Sequence, residues 1–136
     1  MKIQQAVIDE YEQIQAYDRH IPPERLKACM ENGWIYILKE DAGHVVGVLR
    51  YSLFWQTIPF LDLLFLDEQW RGQGFGRQMM TEWEQAMRSR GYAYCMLSTQ
   101  EDETAKDFYQ KLGYEKIGAF LPPEQPVEEW IYQKAL

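Results

Sequence analysis

Glycine occupies three alternate positions in the segment Arg71-Gly72-Gln73-Gly74-Phe75-Gly76. Of the residue patterns in this chain, this spacing indicates a chemical role most clearly. The segment follows the apolar run 60–66 and precedes a stretch with helical periodicity. Glycines at a strand-to-helix junction allow a tight turn and leave backbone N–H groups open to a ligand. The first turn of the helix adds unpaired N–H donors and the positive end of its dipole, and Arg71 and Arg77 add full charges. The segment is therefore predicted to bind a phosphate or diphosphate, with an ordinary strand-to-helix turn as the alternative.

Two common phosphate-binding loops do not fit this spacing. A nucleoside-triphosphate loop needs lysine and then serine or threonine after its last glycine, whereas Arg77-Gln78 follows Gly76. The dinucleotide fingerprint needs a third glycine three places after the second, and position 77 is arginine. Each alternative lacks a residue that its chemistry requires.

The spacing instead follows the pattern (Gln/Arg)-x-x-Gly-x-(Gly/Ala), with Arg71, Gly74 and Gly76 at the fixed positions. It resembles the acyl-coenzyme A loop of the GNAT N-acetyltransferase superfamily. A second segment, 104–118, resembles the C-terminal signature of that family, in which a short helix with Ala-x-x-x-Tyr ends in Lys-x-Gly-(Phe/Tyr) and enters a strand. The resemblance covers roughly positions 1–120 and is strongest over 58–118. Two signatures in the family's order are far more specific than either alone.

The resemblance implies transfer of an acetyl group from acetyl-CoA to an amine, without a metal. Tyr109 occupies the position of the family's acid, and a phenol with a pKa near 10 can protonate a departing thiolate; a core tyrosine is the alternative. Asp62 is the only charge in an otherwise apolar strand, where burial would raise its pKa and suit it to be the base. Orienting a water, gripping the substrate ammonium and facing solvent are the alternatives for Asp62.

The resemblance also implies the remaining contacts. The strand that carries Asp62 is expected to splay from its neighbour and to free the backbone of Leu64, Phe65 and Leu66 for the pantetheine arm and the acyl carbonyl. Asp102 stands where relatives often have asparagine, and an ionised carboxylate cannot donate a hydrogen bond, so this minor cofactor contact is in doubt. Contacts with the acceptor are expected from Tyr17, Arg19, His20, Trp55 and Phe60.

The composition predicts one folded domain over residues 1–136. The chain has 136 residues, of which 46% are hydrophobic and 15% aromatic, and this is long enough for one sizeable core. A net charge of −7 argues against nucleic-acid binding, which needs clustered Lys and Arg, and mildly favours cationic partners such as an amine. We expect a small-molecule or peptidyl amine as partner, no nucleic acid, no membrane, and a possible homodimer.

Metal binding and export are not expected. Cys29, Cys95, His20 and His44 have no metal-ligand spacing, and the two thiols are predicted to be buried or inert. No apolar run approaches the roughly 20 residues of a membrane span. The first residues lack the apolar core of a secretory signal, so a cytoplasmic location is expected.

The order of the predicted elements matches an α/β (α+β) GNAT fold: a mixed, mostly antiparallel, twisted sheet of six to seven strands, flanked by about four helices. A cap by Asp9, a turn at 41–43, helix ends at Gly91 and Gly113, and an aromatic connection over 54–60 are also predicted. The strands are predicted near 1–8, 34–40, 44–53, 60–67, 93–98, 114–120 and 127–134, and the helices near 10–19, 22–32, 74–90 and 103–112.

Three functions are kept open. The first is an acetyl-CoA-dependent N-acetyltransferase that acts by direct transfer on a primary amine. The second is a GNAT-fold acyl-CoA-binding or sensor module without efficient turnover. The third is a nucleoside-triphosphate enzyme, for which ATP should raise the melting temperature more than acetyl-CoA does.

Overall fold

A computed structural model describes all 136 residues and contains seven strands, four α-helices and two short 3-10 turns. The strands are β1 (Lys2–Gln5), β2 (Ile35–Lys39), β3 (Val45–Phe54), β4 (Ile58–Leu66), β5 (Tyr94–Gln100), β6 (Glu115–Phe120) and β7 (Glu129–Ala135). The helices are α1 (Tyr11–Tyr17), α2 (Pro23–Glu31), α3 (Phe75–Ser89) and α4 (Ala105–Lys111), and the 3-10 turns are Ile8–Glu10 and Glu68–Trp70. None of the helices combines the length and apolar character that crossing a membrane requires.

The strands form one mixed sheet in the order β1-β2-β3-β4-β5-β7-β6. The pairs β1–β2, β2–β3, β5–β7 and β6–β7 are antiparallel, and β4–β5 is parallel. The parallel pair requires a crossover between its strands, which α3 supplies. The predicted fold is therefore confirmed, with seven strands and four helices.

Two compact units are distinguished within the chain. The first consists of Met1–Ser52 and Asp62–Trp83, and the second of Leu53–Leu61 and Glu84–Leu136. The expectation of a single domain stays a prediction.

The core of the first unit is apolar and is built by two helices against two strands. Ile14 of α1 is fully buried, as are Leu26 of α2 and Ile37 of β2. On α3, Trp83 packs on Tyr51 of β3 with ring centroids 5.6 Å apart. The predicted apolar stripe of α3 is confirmed for its buried members, Met79, Met80, Trp83 and Met87, while Phe75 is only half-buried.

The second unit contains a buried polar network. The Tyr114 hydroxyl donates to Glu84 Oε2 at 2.8 Å and lies 3.2 Å from Cys95 Sγ, and Lys134 Nζ is 2.7 Å from Glu84 Oε1. Buried polar groups need such partners, so this network fixes β5, β7 and the end of α3 in one arrangement. Burial raises the pKa of the Cys95 thiol to about 11.

Left-handed glycines end two helices, as predicted. Gly91 follows α3 with φ +91°, and Gly113 follows α4 with φ +98°. The N–H of the next residue returns to a carbonyl of the last helical turn in both cases, from Tyr92 to Met87 at 3.2 Å and from Tyr114 to Tyr109 at 3.1 Å. Glycine adopts this conformation without the steric clash of a Cβ.

Two local predictions were wrong. Asp9 does not cap α1, because it lies inside the 3-10 turn Ile8–Glu10, and it is Glu10 whose carboxylate accepts a hydrogen bond from the Val7 N–H at 2.9 Å. The connection predicted over 54–60 is mostly strand, because β3 and β4 extend to a short turn. Trp55 and Gln56 have φ of +55° and +62°, and Thr57 N–H donates to the Phe54 carbonyl at 3.0 Å. Positive φ at both central residues is the feature of type I′ hairpins, whose usual asparagine and glycine are missing here.

Candidate active site

The glycine loop lies in the first unit, between the 3-10 turn Glu68–Trp70 and α3. Gly72 and Gly74 have φ of +72° and +89°, and no atom lies within 4 Å of the position that a Cβ would take at either residue. Gly76 differs from them, since it lies in the first turn of α3. Two glycines rather than three therefore make the turn, and they leave open space beside a helix N-terminus, where an anion is favoured.

Arg71 is held in place by groups of the preceding strand. Its Nε donates to the Leu66 carbonyl at 2.9 Å, and its guanidinium carbon lies 5.1 Å from the centre of the Phe65 ring. The side chain is exposed, so its charge remains available to a ligand. Arg77 is exposed in the first turn of α3, and Gln73 Nε2 donates to the Gln69 carbonyl at 2.9 Å. The Phe75 ring packs on the edge of Trp70.

Strand β4 leaves part of its backbone outside the ladder with β5. The parallel pairing covers Phe60 and Leu61, whereas β4 continues to Leu66. On its other side β4 stays close to β3: the Asp67 N–H donates to the Val46 carbonyl at 2.9 Å. The segment Leu64, Phe65 and Leu66 therefore has one edge outside the β5 ladder. Its predicted role in binding the pantetheine arm stays a prediction.

Asp62 lies on the free part of β4, with a side chain that is 26% exposed. Arg50 Nη1 of β3 lies 3.4 Å from its Oδ2. Burial raises the pKa of Asp62, and the negative charge of Asp18 acts in the same direction, while a hydrogen bond from Ser52 and the charge of Arg50 lower the pKa. The net shift is upward, which suits a proton acceptor better than an unperturbed aspartate would.

Two residues behind Asp62, Arg50 and Asp18, were not predicted from the sequence. Arg50 is 8% exposed and Asp18, just after α1, is fully buried. Arg50 Nε donates to Asp18 Oδ2, and Nη2 lies 3.4 Å from Asp18 Oδ1. One signal was available, because Arg50 is the only charge within the apolar sequence of β3. A charge inside such a strand must be paired, but the sequence does not show which residue is its partner.

Tyr17 is tied to the end of β4. Its hydroxyl lies 2.9 Å from Asp67 Oδ2 and 3.0 Å from the Val45 carbonyl, and its ring centroid is 5.5 Å from that of Phe65. Burial, helped by Asp67, raises the pKa of Tyr17 to about 12. The hydroxyl is engaged in the fold, so only the ring is available to an acceptor. Arg19 and His20 are exposed.

A surface cavity of about 500 Å³ is lined by Asp67, Glu68 and Gln69. Two of these three side chains are acidic. The cavity therefore suits an anionic diphosphate less well than the open space beside Gly72 and Gly74 does.

Tyr109 lies on α4 in the second unit and is 8% exposed. Its ring packs edge-on against Phe108 and Tyr114, at centroid distances of 5.0 and 6.0 Å. Burial, and to a lesser degree the charge of Glu103, raise the pKa of Tyr109 well above its ordinary value, so the phenol keeps its proton at neutral pH. The ring belongs to the core, and the hydroxyl is a protonated group that could serve as a proton donor.

The other predicted residues of the second unit are more exposed. Trp55 is 77% exposed at the tip of the β3–β4 hairpin. Its ring lies tilted against that of Phe54, with centroids 4.8 Å apart, and the rings of Phe54 and Phe60 have centroids 6.0 Å apart. Asp102 is exposed in the turn after β5, and its charge contributes to a raised pKa of Glu103. The roles predicted for these residues stay predictions.

Comparison with known proteins supplies the family. The model of the acetyltransferase (GNAT) family matches residues 3–114, which is most of the chain. Among curated protein sequences, none matches this chain significantly.

Solved structures share the fold at low sequence identity. A ribosomal-protein-alanine N-acetyltransferase from Brucella melitensis has 18% identity and a TM-score of 0.83, with 100% of both chains covered. The ribosomal-protein-S18-alanine N-acetyltransferase from Escherichia coli has 15% identity and a TM-score of 0.78, with 98% of this chain and 92% of that chain covered. A chain of the NatB acetyltransferase complex bound to CoA and MES has 14% identity and a TM-score of 0.85, with 100% of this chain and 99% of that chain covered. With the family model matched over residues 3–114, this chain is an acyltransferase of the acetyltransferase (GNAT) family, as its two signatures predicted.

Proposed function

We propose that this protein moves the acetyl group of acetyl-CoA to a primary amine of a small molecule or peptide by direct transfer. The observation that carries the proposal is the glycine loop. Gly72 and Gly74 take left-handed conformations that leave open space ahead of α3, and Arg71 is held beside them. These groups suit the diphosphate of coenzyme A, because backbone N–H donors and a fixed guanidinium both favour an anion.

Acetyl-CoA supplies an acyl group that is activated as a thioester. The free backbone edge at Leu64 to Leu66 is suited to bind the pantetheine amides and to orient the acyl carbonyl. Direct transfer then needs a proton acceptor for the attacking amine and a proton donor for the departing sulfur.

Asp62 and Tyr109 are assigned these two roles. The amine nitrogen forms a bond to the acyl carbon, and the C–S bond breaks. Asp62 takes a proton from the amine, and the Tyr109 hydroxyl gives its proton to the thiolate, so that the products are an amide and free coenzyme A. The raised pKa of Asp62 and the protonated hydroxyl of Tyr109 support the assignment.

Peptide N-termini are the first acceptors to test. Two of the structures with this fold carry names that refer to acetylation of an alanine of ribosomal proteins. The net charge of −7 suits a cationic acceptor in general. We propose that the exposed aromatic residues of the β3–β4 hairpin, above all Trp55, contribute to acceptor selection. The same role is proposed for the side chains of Tyr17, Arg19, His20 and Phe60.

The test measures free thiol released from acetyl-CoA with a panel of alanine-terminated peptides, polyamines, amino acids and aminoglycosides. We expect thiol release that depends on one class of amine, with the acetylated product found by mass spectrometry. Tyr109→Phe should lower kcat more than it changes acetyl-CoA affinity, because it removes only the hydroxyl. Unchanged kcat in this variant would remove Tyr109 from the mechanism.

A binding or sensor module is the second candidate, and one observation favours it. A phenol whose pKa is raised far by burial is a weak proton donor, which would make turnover slow. Tight binding of acetyl-CoA with no thiol release across the whole panel would support this candidate and reject the first.

A further inference from the structure

We propose that Asp18 is a positioning residue, which holds the guanidinium of Arg50 away from Asp62 and so keeps Asp62 free to accept a proton. This inference deepens the proposed function, because it rests on Asp62 as the base. Three charged side chains of the first unit lie in a row: Asp18, Arg50 and Asp62.

The contacts within the row are unequal. Arg50 Nε donates to Asp18 Oδ2, and Nη2 lies 3.4 Å from Asp18 Oδ1, in the side-by-side arrangement that suits a guanidinium and a carboxylate. Asp62 receives only Nη1, also at 3.4 Å, and has no close contact like the one between Nε and Asp18 Oδ2. Arg50 is therefore neutralised chiefly by Asp18.

Burial follows the same order. Asp18 is fully buried, Arg50 is 8% exposed, and Asp62 is 26% exposed. Removing one partner of a buried ion pair leaves the other as an uncompensated charge, so Asp18 and Arg50 depend on each other. The outermost carboxylate, Asp62, is left with access to solvent and to a substrate.

The surroundings of Asp62 contain few other groups that could set its charge. Ser52, on β3 with Arg50, bonds its carboxylate, and Cys29 of α2 interacts with the same three charges. Burial raises the pKa of Cys29, so its thiol is neutral near pH 7. Arg50 is then the cation that acts on Asp62, and Asp18 controls how strongly it does so.

The consequence concerns proton affinity. If Asp18 loses its charge, Arg50 pairs with Asp62 and favours the ionised carboxylate, and the repulsion between the two aspartates disappears as well. Both effects lower the pKa of Asp62. An aspartate beside an unshared arginine has a pKa lowered by about one to three units. A carboxylate that binds protons more weakly is a poorer base.

The test is a 13C NMR titration of the Asp62 carboxyl carbon, assigned with Asp62→Asn, in the native protein and in Asp18→Asn. We expect the pKa of Asp62 to fall by about one unit or more in Asp18→Asn. Asp9→Asn is the matched control, since Asp9 is exposed and its removal changes the net charge equally; it should leave the Asp62 titration unchanged. An Asp62 pKa that is the same in Asp18→Asn and in the native protein would overturn the inference.

Asp18→Asn leaves Arg50 without its main partner and could misfold for that reason. A double variant gives a second measurement that avoids this problem. Asp18→Asn with Arg50→Gln replaces the buried pair by neutral side chains, so that no uncompensated charge is left buried. Asp62 should then titrate within about half a unit of its native pKa, because the two opposing charges are removed together. A pKa lower by a unit or more in the double variant would contradict a role for Arg50.

Activity separates this inference from the proposed function. If Asp62 is the base, the acidic limb of the kcat–pH profile of Asp18→Asn moves to lower pH and the plateau falls, whereas Asp9→Asn keeps the native profile. If the NMR shift is found and Asp62→Asn keeps full activity, the electrostatic arrangement stands and the role of Asp62 as base fails.

Discussion

Replacing Gly74 by alanine tests the glycine loop, and the chain offers a matched control for it. Gly74, before α3, has φ +89°, and Gly91, after α3, has φ +91°. Neither has any atom within 4 Å of the position of an added Cβ. The two substitutions therefore impose the same backbone strain and no clash, and they differ only in whether a ligand is expected beside the new methyl group.

The strain can be given a size. An L-residue in a left-handed conformation costs about 1–2 kcal/mol relative to glycine. Each variant should lose roughly that free energy of unfolding, which for a chain of this length lowers the melting temperature by roughly 3–8 °C. Only Gly74→Ala should also lose ligand contacts. A hydrogen bond between a backbone N–H and a charged phosphate is worth about 1.5–3 kcal/mol, so loss of one such bond weakens binding by about 10- to 150-fold.

Isothermal titration calorimetry with free coenzyme A measures the binding without turnover, and urea unfolding measures the stability. We expect equal stability losses in the two variants, a Kd raised at least about tenfold in Gly74→Ala, and a Kd within about twofold of native in Gly91→Ala. Equal coenzyme A affinity in both variants would mean that no phosphate binds beside Gly74, since the methyl group would then stand where no phosphate approaches.

Three further predictions concern the fold and its titrating groups. Tyr17→Phe removes the hydrogen bond to the Asp67 carboxylate, which should lower the free energy of unfolding in urea by about 1–2 kcal/mol; no change would mean that water replaces the hydroxyl. Cys95 is buried and its pKa is raised to about 11, so iodoacetamide at pH 8 should label Cys29 well before Cys95 in the folded protein. Equal labelling rates of the two cysteines, measured by peptide mapping, would contradict this prediction. The pKa of Asp62 is raised in the folded protein, so its ionisation lowers stability as pH rises from its unfolded pKa through its folded pKa. At pH 7, Asp62→Asn should therefore unfold at a higher urea concentration than the native protein. At pH 3 this difference should be absent. A stability difference that is the same at both pH values would show that the raised pKa is not its origin.

Regular elements were predictable because their signals are local. The apolar stripe of α3 repeats at helical spacing, and the glycines at 91 and 113 follow directly after the last helical turns. Both signals act over a few residues, so the sequence contains them in full. The family signatures are of the same kind, so the sequence alone is enough to predict the family.

The errors arose where a local preference competes with tertiary contacts. The sequence Phe54-Trp55-Gln56-Thr57 has no glycine or asparagine, so nothing in it predicts a tight hairpin. Pairing of β3 with β4 imposes the left-handed conformations at Trp55 and Gln56. Asp9 has the right residue type for a cap, but it is the Glu10 carboxylate that accepts the hydrogen bond from the Val7 N–H.

Residues that are close together along the chain are enough to predict the glycine loop, the order of strands and helices, and the family. The surroundings of Asp62 come from the fold. Arg50 and Asp18 are 32 residues apart, and their pairing follows from how α1 is placed against β3. Charge interactions depend on distance in space and on exclusion of water, and the spacing of residues along the chain gives neither.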